Sequence, residues 1–129
     1  MSTIREIEDR HISILSELDE LGQFDYLIDL GVKEGRDSAV EKPCFRIEGC
    51  KTNIWLKTEQ NVIRASSDSL VVLGLLSIIR QMYLGRSRSE IESNPIRFLP
   101  SVSEHVVYSE IRENGIKKVY AKIISEDFR

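Results

Sequence analysis

The sequence predicts an α+β domain, a small three-stranded antiparallel sheet covered by helices. Three observations carry this. Apolar residues recur at helical spacing from Ile4 to Leu21. Short β-prone segments alternate with turn residues between Cys44 and Ser66. A strongly apolar helical stretch runs from about Leu70 to Leu84. The 129 residues fit one domain spanning 1–129. A hydrophobic share of 41% supports one modest core, and 30% charged residues give an ordinary soluble surface.

Thr3 and Glu6 form a capping box ahead of Ile4, Ile7, Ile14, Leu15, Leu18 and Leu21. Gly22 is expected to end this first helix. A second, short helix is expected from Asp25 to Gly31, with Tyr26, Leu27 and Leu30 on its apolar side. Val32 to Pro43 is polar and reads as a loop. Cys44 to Ile47 reads as the first strand and Glu48-Gly49-Cys50 as a turn. Thr52 to Thr58 is the second strand, with Ile54 and Leu56 on one face and Trp55 on the other. Glu59-Gln60-Asn61 is a hairpin signal, and Val62 to Ser66 is the third strand. Ser67 or Asp68 is expected to cap the central buried helix, which Gly85 closes. Ser87 caps a short helix through Glu90 and Ile91. A final helix is expected from near Ser109, burying Ile116, Val119, Tyr120 and Ile123.

Several function classes are disfavoured. Residues 1–41 hold eleven Asp/Glu against four Lys/Arg, a net of −7, whereas residues 42–129 hold ten against fourteen, a net of +4. A chain with pI near 5.5 is not an obvious nucleic-acid binder. Leu70 to Tyr83, the longest apolar run, is interrupted by Gly74, Ser77, Arg80 and Gln81, so no membrane association is expected. Met1 to Arg10 is charged and has no signal-peptide core, which points to a cytoplasmic protein. Two cysteines and two distant histidines (His11 and His105) make a poor zinc set, and no Walker or dinucleotide-binding motif is present. His11 is expected at the surface. Cys44, in its expected strand, reads as a core residue, and a resolving disulfide with Cys50 would need the two Cα atoms within about 7 Å.

Three segments together resemble one family. Tyr26-Leu27-Ile28-Asp29-Leu30-Gly31 is similar to its second-helix signature. Ile47-Glu48-Gly49-Cys50-Lys51-Thr52-Asn53-Ile54-Trp55 is similar to its active-site segment, with Trp five residues after Cys. Ser67-Asp68-Ser69, Gly74-Leu75, Tyr83-Leu84-Gly85-Arg86-Ser87 and Glu90-Ile91 are similar to its long helix and the turn that follows. In this order, over roughly residues 24–124, they resemble the SufE/CsdE-type sulfur acceptor proteins, whose fold is like that of the U-type Fe–S scaffold. The chain departs from the family in three places. Its link before the active-site strand is short. Ser66 stands where the family has Asp. His105 precedes Arg112-Glu113-Asn114-Gly115 by seven residues rather than five. The resemblance is that of a divergent member.

The resemblance implies that Cys50 takes sulfane sulfur from a PLP-dependent cysteine desulfurase as a persulfide. It then passes the sulfur on, to an Fe–S scaffold or to a thio-cofactor pathway. No resident cofactor is implied, since the PLP belongs to the partner. The nucleophile must be thiolate, only about 3% of a cysteine at pH 7 with an unperturbed pKa near 8.5. A lowering by about one unit would bring that to roughly a quarter. The candidate cations are Lys51, Arg46 and, through the resemblance, Arg112. Arg112 is preferred, because the side chain adjacent to Cys50 in a strand points to the other face. Gly49 permits a tight turn that presents and moves the thiol, and the implied shelter would protect a persulfide from oxidation. Trp55 is expected to anchor the loop, while Asp68 and His105 are supporting candidates beside the thiol, with a helix cap and an exposed loop histidine as their more ordinary roles.

Two rival readings follow from the same residues. The protein could be a binding module that stimulates a desulfurase without carrying sulfur, a case separated by Cys50→Ser. It could instead be a U-type Fe–S scaffold, but a cluster takes up to four thiolates and the chain has two cysteines.

Overall fold

The computed structural model describes residues 2–50, 52–59, 62–110 and 115–125. Helix α1, Ile4–Glu17, starts at the expected box: Glu6 N–H donates to Thr3 Oγ1 (3.1 Å) and Thr3 N–H to Glu6 Oε1 (3.0 Å). It ends a turn earlier than its apolar spacing suggests. Leu18 turns extended, and Asp19 caps α2, Glu20–Glu34, through a 2.8 Å bond from Gly22 N–H. Gly22 therefore lies inside α2 rather than ending α1. Leu21, counted in the apolar stripe, is 71% exposed. A local carboxylate acceptor for an orphan helix N–H outweighs one more apolar position.

Strands β1, Ile54–Glu59, and β2, Val62–Ser67, pair antiparallel with Ile54 opposite Ser67 and Glu59 opposite Val62. Gln60 and Asn61, the expected hairpin tip, lie outside the described residues. Among the described residues the sheet has two strands, not three. Pro43–Phe45 winds into a 3₁₀ turn, closed by Arg46 N–H donating to the Pro43 carbonyl (3.3 Å). Proline fixes φ and starts such a turn, and it takes the segment out of strand geometry. A single bridge, Arg46 to Trp55, remains of the expected first strand, with Ile47 N–H bonded to the Ile54 carbonyl at 2.8 Å.

Helix α3, Leu70–Tyr83, is the buried centre. Val72, Leu75, Ile78, Ile79 and Met82 are all enclosed, each such side chain contributing about 1.5–3 kcal/mol. Its cap is Ser69, whose Oγ accepts from Val72 N–H at 3.3 Å, rather than Ser67 or Asp68. Ser67 is used otherwise: its hydroxyl donates to the Asn53 carbonyl (2.6 Å). α3 packs against α1, α2 and β2.

Beyond α3, Ser87 and Glu90 form a second capping box for α4, Arg88–Ser93. An unexpected helix α5, Glu104–Glu110, includes Ser109. The last helix is α6, Gly115–Ile123, with Ile116, Val119 and Ile123 buried as expected and Tyr120 half-buried.

Polar side chains on α1 and α2 tie the layers together. His11, expected at the surface, is 8% exposed. Its ring bridges Tyr26 Oη (2.7 Å) and Gln81 Oε1 (2.9 Å). Gln23 donates to the carbonyls of Leu15 and Ser101 (both 2.9 Å) and accepts from Ser103 N–H at 2.8 Å. Glu8 is fully buried and accepts from Arg97 N–H (2.7 Å), Arg97 Nε (3.1 Å) and Arg5 Nη1 (2.7 Å). Glu8→Ala strips the acceptor from a backbone N–H and two guanidinium groups. It is expected to lower unfolding free energy by about 2–3 kcal/mol. Urea titration measures this, and a change below about 0.5 kcal/mol, the size of an ordinary surface substitution, would show the cluster to be mere surface pairing.

Candidate functional site

The site is built on the turn between the Arg46–Trp55 bridge and β1. Gly49 has φ 80°, a left-handed conformation that side-chain-bearing residues rarely adopt. The chain reverses there and Cys50 turns inward. Its side chain is 7% exposed and belongs to the main hydrophobic cluster. Both cysteines are free thiols.

Burial pushes the Cys50 thiol above its ordinary value, and this outweighs two cations that pull it down, Lys118 first and Arg46 second. The expected lowering is thus reversed, because desolvation penalises the thiolate more than the cations favour it. Lys118 Nζ, reaching over from α6, donates to the Glu48 carbonyl at 2.9 Å. Arg46 Nη1 lies 3.6 Å from a Glu48 carboxylate oxygen, and its Nε donates to Asn53 Oδ1 at 2.9 Å. Asn53 Nδ2 passes the chain on to Asp68 Oδ2 at 2.8 Å. Asp68 is thus linked to Arg46 through Asn53.

The other expected residues fall variously. Lys51 and Arg112 lie outside the described residues. Trp55 is half-buried and holds the Arg46 bridge, on the face opposite Ile54 and Leu56. Ser66 is buried, donating to Glu41 Oε2 (2.6 Å) and accepting from Asp37 N–H (3.0 Å). Cys44 is exposed, not in the core: the 3₁₀ turn that displaced the strand puts it at the surface. It lines a groove with Phe45, Lys57 and Lys122, whose two ammonium groups lie 5.5 and 6.0 Å from the Phe45 ring centre. Among the described residues no group of three or more His, Cys, Asp or Glu is placed to hold a metal.

His105 is 83% exposed at the start of α5, with Nδ1 donating to Glu20 Oε2 at 2.8 Å. This hydrogen bond, and secondly its Coulomb attraction, raises the His105 pKa, while His105 and then Ser103 lower that of Glu20. The pair is intact below the raised histidine pKa and above the lowered carboxyl pKa, and is lost as pH rises through the former. Its expected signature is a His105 NMR titration midpoint above the ordinary value of about 6.5, returning toward that value in Glu20→Gln. An unchanged midpoint in the variant would mean that another group raises it.

Lys118 was not legible in the sequence. It sits 70 positions from Glu48, one of two adjacent lysines on an amphipathic helix, and only the packing of α6 against β1 brings it to the turn.

These features define a small α+β protein that keeps a cysteine sheltered on a glycine turn beside a short sheet, with cations at hand. The chain matches the SufE family model, described as an Fe–S metabolism associated domain, over residues 10–126, and it belongs to that family. Among the described residues no helix is long and apolar enough to cross a membrane.

Proposed function

We propose that the protein is a sulfur carrier of Fe–S metabolism, taking sulfane sulfur from a PLP-dependent cysteine desulfurase onto Cys50. The observation that carries this reading is the placement of Cys50: an enclosed thiol on a positive-φ glycine turn, in a chain matching SufE over nearly its whole length. Cys50 first loses its proton and its turn opens. The thiolate attacks the outer sulfur of the desulfurase persulfide. One S–S bond forms as another breaks, and the desulfurase cysteine leaves as thiolate and takes up a proton. No net oxidation occurs, as in thiol–disulfide exchange. Closure of the turn then keeps the persulfide from oxidants and stray thiols. The carrier needs no cofactor of its own, and Arg46, held by Asn53 and Asp68, offers charge to the sulfur anion. Membership of a family of Fe–S metabolism supports delivery to an Fe–S scaffold, with a thio-cofactor pathway as the other destination for a divergent member.

Incubation with a desulfurase and ³⁵S-cysteine tests this. Label retained without reductant, released by dithiothreitol and confined to the peptide containing Cys50 is the expected result. Label absent from that peptide would refute the carrier reading.

A further inference from the structure

We propose that Lys118 is a positioning residue, the latch that holds the Glu48–Cys50 turn closed over the thiol. Three observations converge on it. Its ammonium donates to the Glu48 carbonyl at 2.9 Å, tying the turn to α6. It occupies the space that a Cβ on Gly49 would fill, so glycine here answers both the φ of 80° and the lysine's approach. It is also the leading cation acting on Cys50. An exposed lysine loses rotamer freedom on being held in one place. A charge-assisted bond to a carbonyl is the kind of contact that offsets such a loss and can still be broken when a partner docks. Opening the turn requires that this bond break, after which the same ammonium is free to face the sulfur anion.

The inference takes Cys50 as the working thiol, as in the reading above, but its test uses no desulfurase. Alkylation of the full-length protein by iodoacetamide is followed from pH 6.5 to 9.5, with Cys50 and Cys44 peptides quantified together by mass spectrometry. Cys44, already exposed, is the internal reference. The pH profile separates the rate of the fully ionised thiol, which reports opening, from the midpoint, which reports charge. Lys118→Met is expected to raise the limiting rate at Cys50 about five- to tenfold relative to Cys44, the change in opening that loss of one charge-assisted bond brings. Its midpoint should move up. Lys117→Met removes the same charge from the same helix without reaching the turn, and should leave both unchanged. An unaltered limiting rate in Lys118→Met, or an equal rise in Lys117→Met, would overturn the latch. If wild type fails to load sulfur while the alkylation result holds, the carrier reading fails and the latch stands.

Discussion

Cys50→Ser is expected to abolish sulfur loading completely while the protein remains folded and Cys44 remains reactive. A hydroxyl is a poor nucleophile at neutral pH and cannot hold sulfane sulfur, so the loss should be total rather than graded. The substitution keeps the volume nearly unchanged but encloses a hydroxyl where a thiol packs, at a cost of about 1–2 kcal/mol. That is too little to unfold a domain of ordinary stability, about 5–15 kcal/mol. Loading is read by intact mass after incubation with a desulfurase, and alanine formation is followed in the same reaction. If stimulation of alanine formation survives in Cys50→Ser, the protein is a regulator of its partner and not a carrier. Label appearing on Cys44 at the wild-type level would move the chemistry to the exposed groove. The pH dependence has a definite sign. The folded-state thiol pKa is raised by burial, so the closed turn is fully favoured below the unfolded-state value and is weakened, without being abolished, as pH rises from that value through the folded one. Alkylation at Cys50 should therefore climb through a midpoint above about 8.5, the ordinary cysteine value.

Gly74→Ala is expected to be the most destabilising single-methyl change in the central helix. A Cβ at Gly74 would fall 2.7 Å from the Leu27 carbonyl carbon and 2.9 Å from Leu27 Cα, and closer still to the carbonyl oxygen. Gly31 makes the reciprocal approach, its Cβ position lying 3.0 Å from the Leu70 carbonyl carbon and 3.2 Å from Gly74 N. The obstructing atoms are backbone, so no side chain can swing away, and α2 and α3 would have to move apart. Alanine gains about 1 kcal/mol in helix propensity over glycine. Separating a well-packed helix pair costs more, and a net loss of about 2–3 kcal/mol is expected. Urea unfolding of Gly74→Ala, Gly31→Ala and the double variant provides the measurement. The double variant should lose less than the sum, because the first methyl already separates the helices. A Gly74→Ala protein as stable as wild type would show that the two helices do not meet this closely. The contact bears on function as well, since α3 begins three residues after Ser67, whose hydroxyl holds the Asn53 carbonyl and so the segment following the Cys50 turn.

Much of this protein was legible because the signals are local. The capping boxes at Thr3 and Ser87, the alternation of Ile54, Trp55 and Leu56, the apolar run of α3 and the Gly49-Cys50 turn each depend on neighbours within a few residues, where backbone geometry follows side-chain chemistry directly. The ordered motifs around Cys50 were enough to point to the SufE family. Where two local signals competed, the expected one lost: Asp19 overrode the apolar stripe of α1, and Pro43 turned an expected strand into a 3₁₀ turn and carried Cys44 to the surface. The burial of Glu8, His11 and Gln23, and the backbone approach of Gly31 to Gly74, depend on partners far along the chain. The sequence alone determined which thiol to examine and the turn that holds it. Only the tertiary structure decided that this thiol is enclosed, that burial outweighs its cations, and that Lys118 reaches the Glu48 carbonyl, because desolvation and long-range hydrogen bonds depend on which surfaces meet.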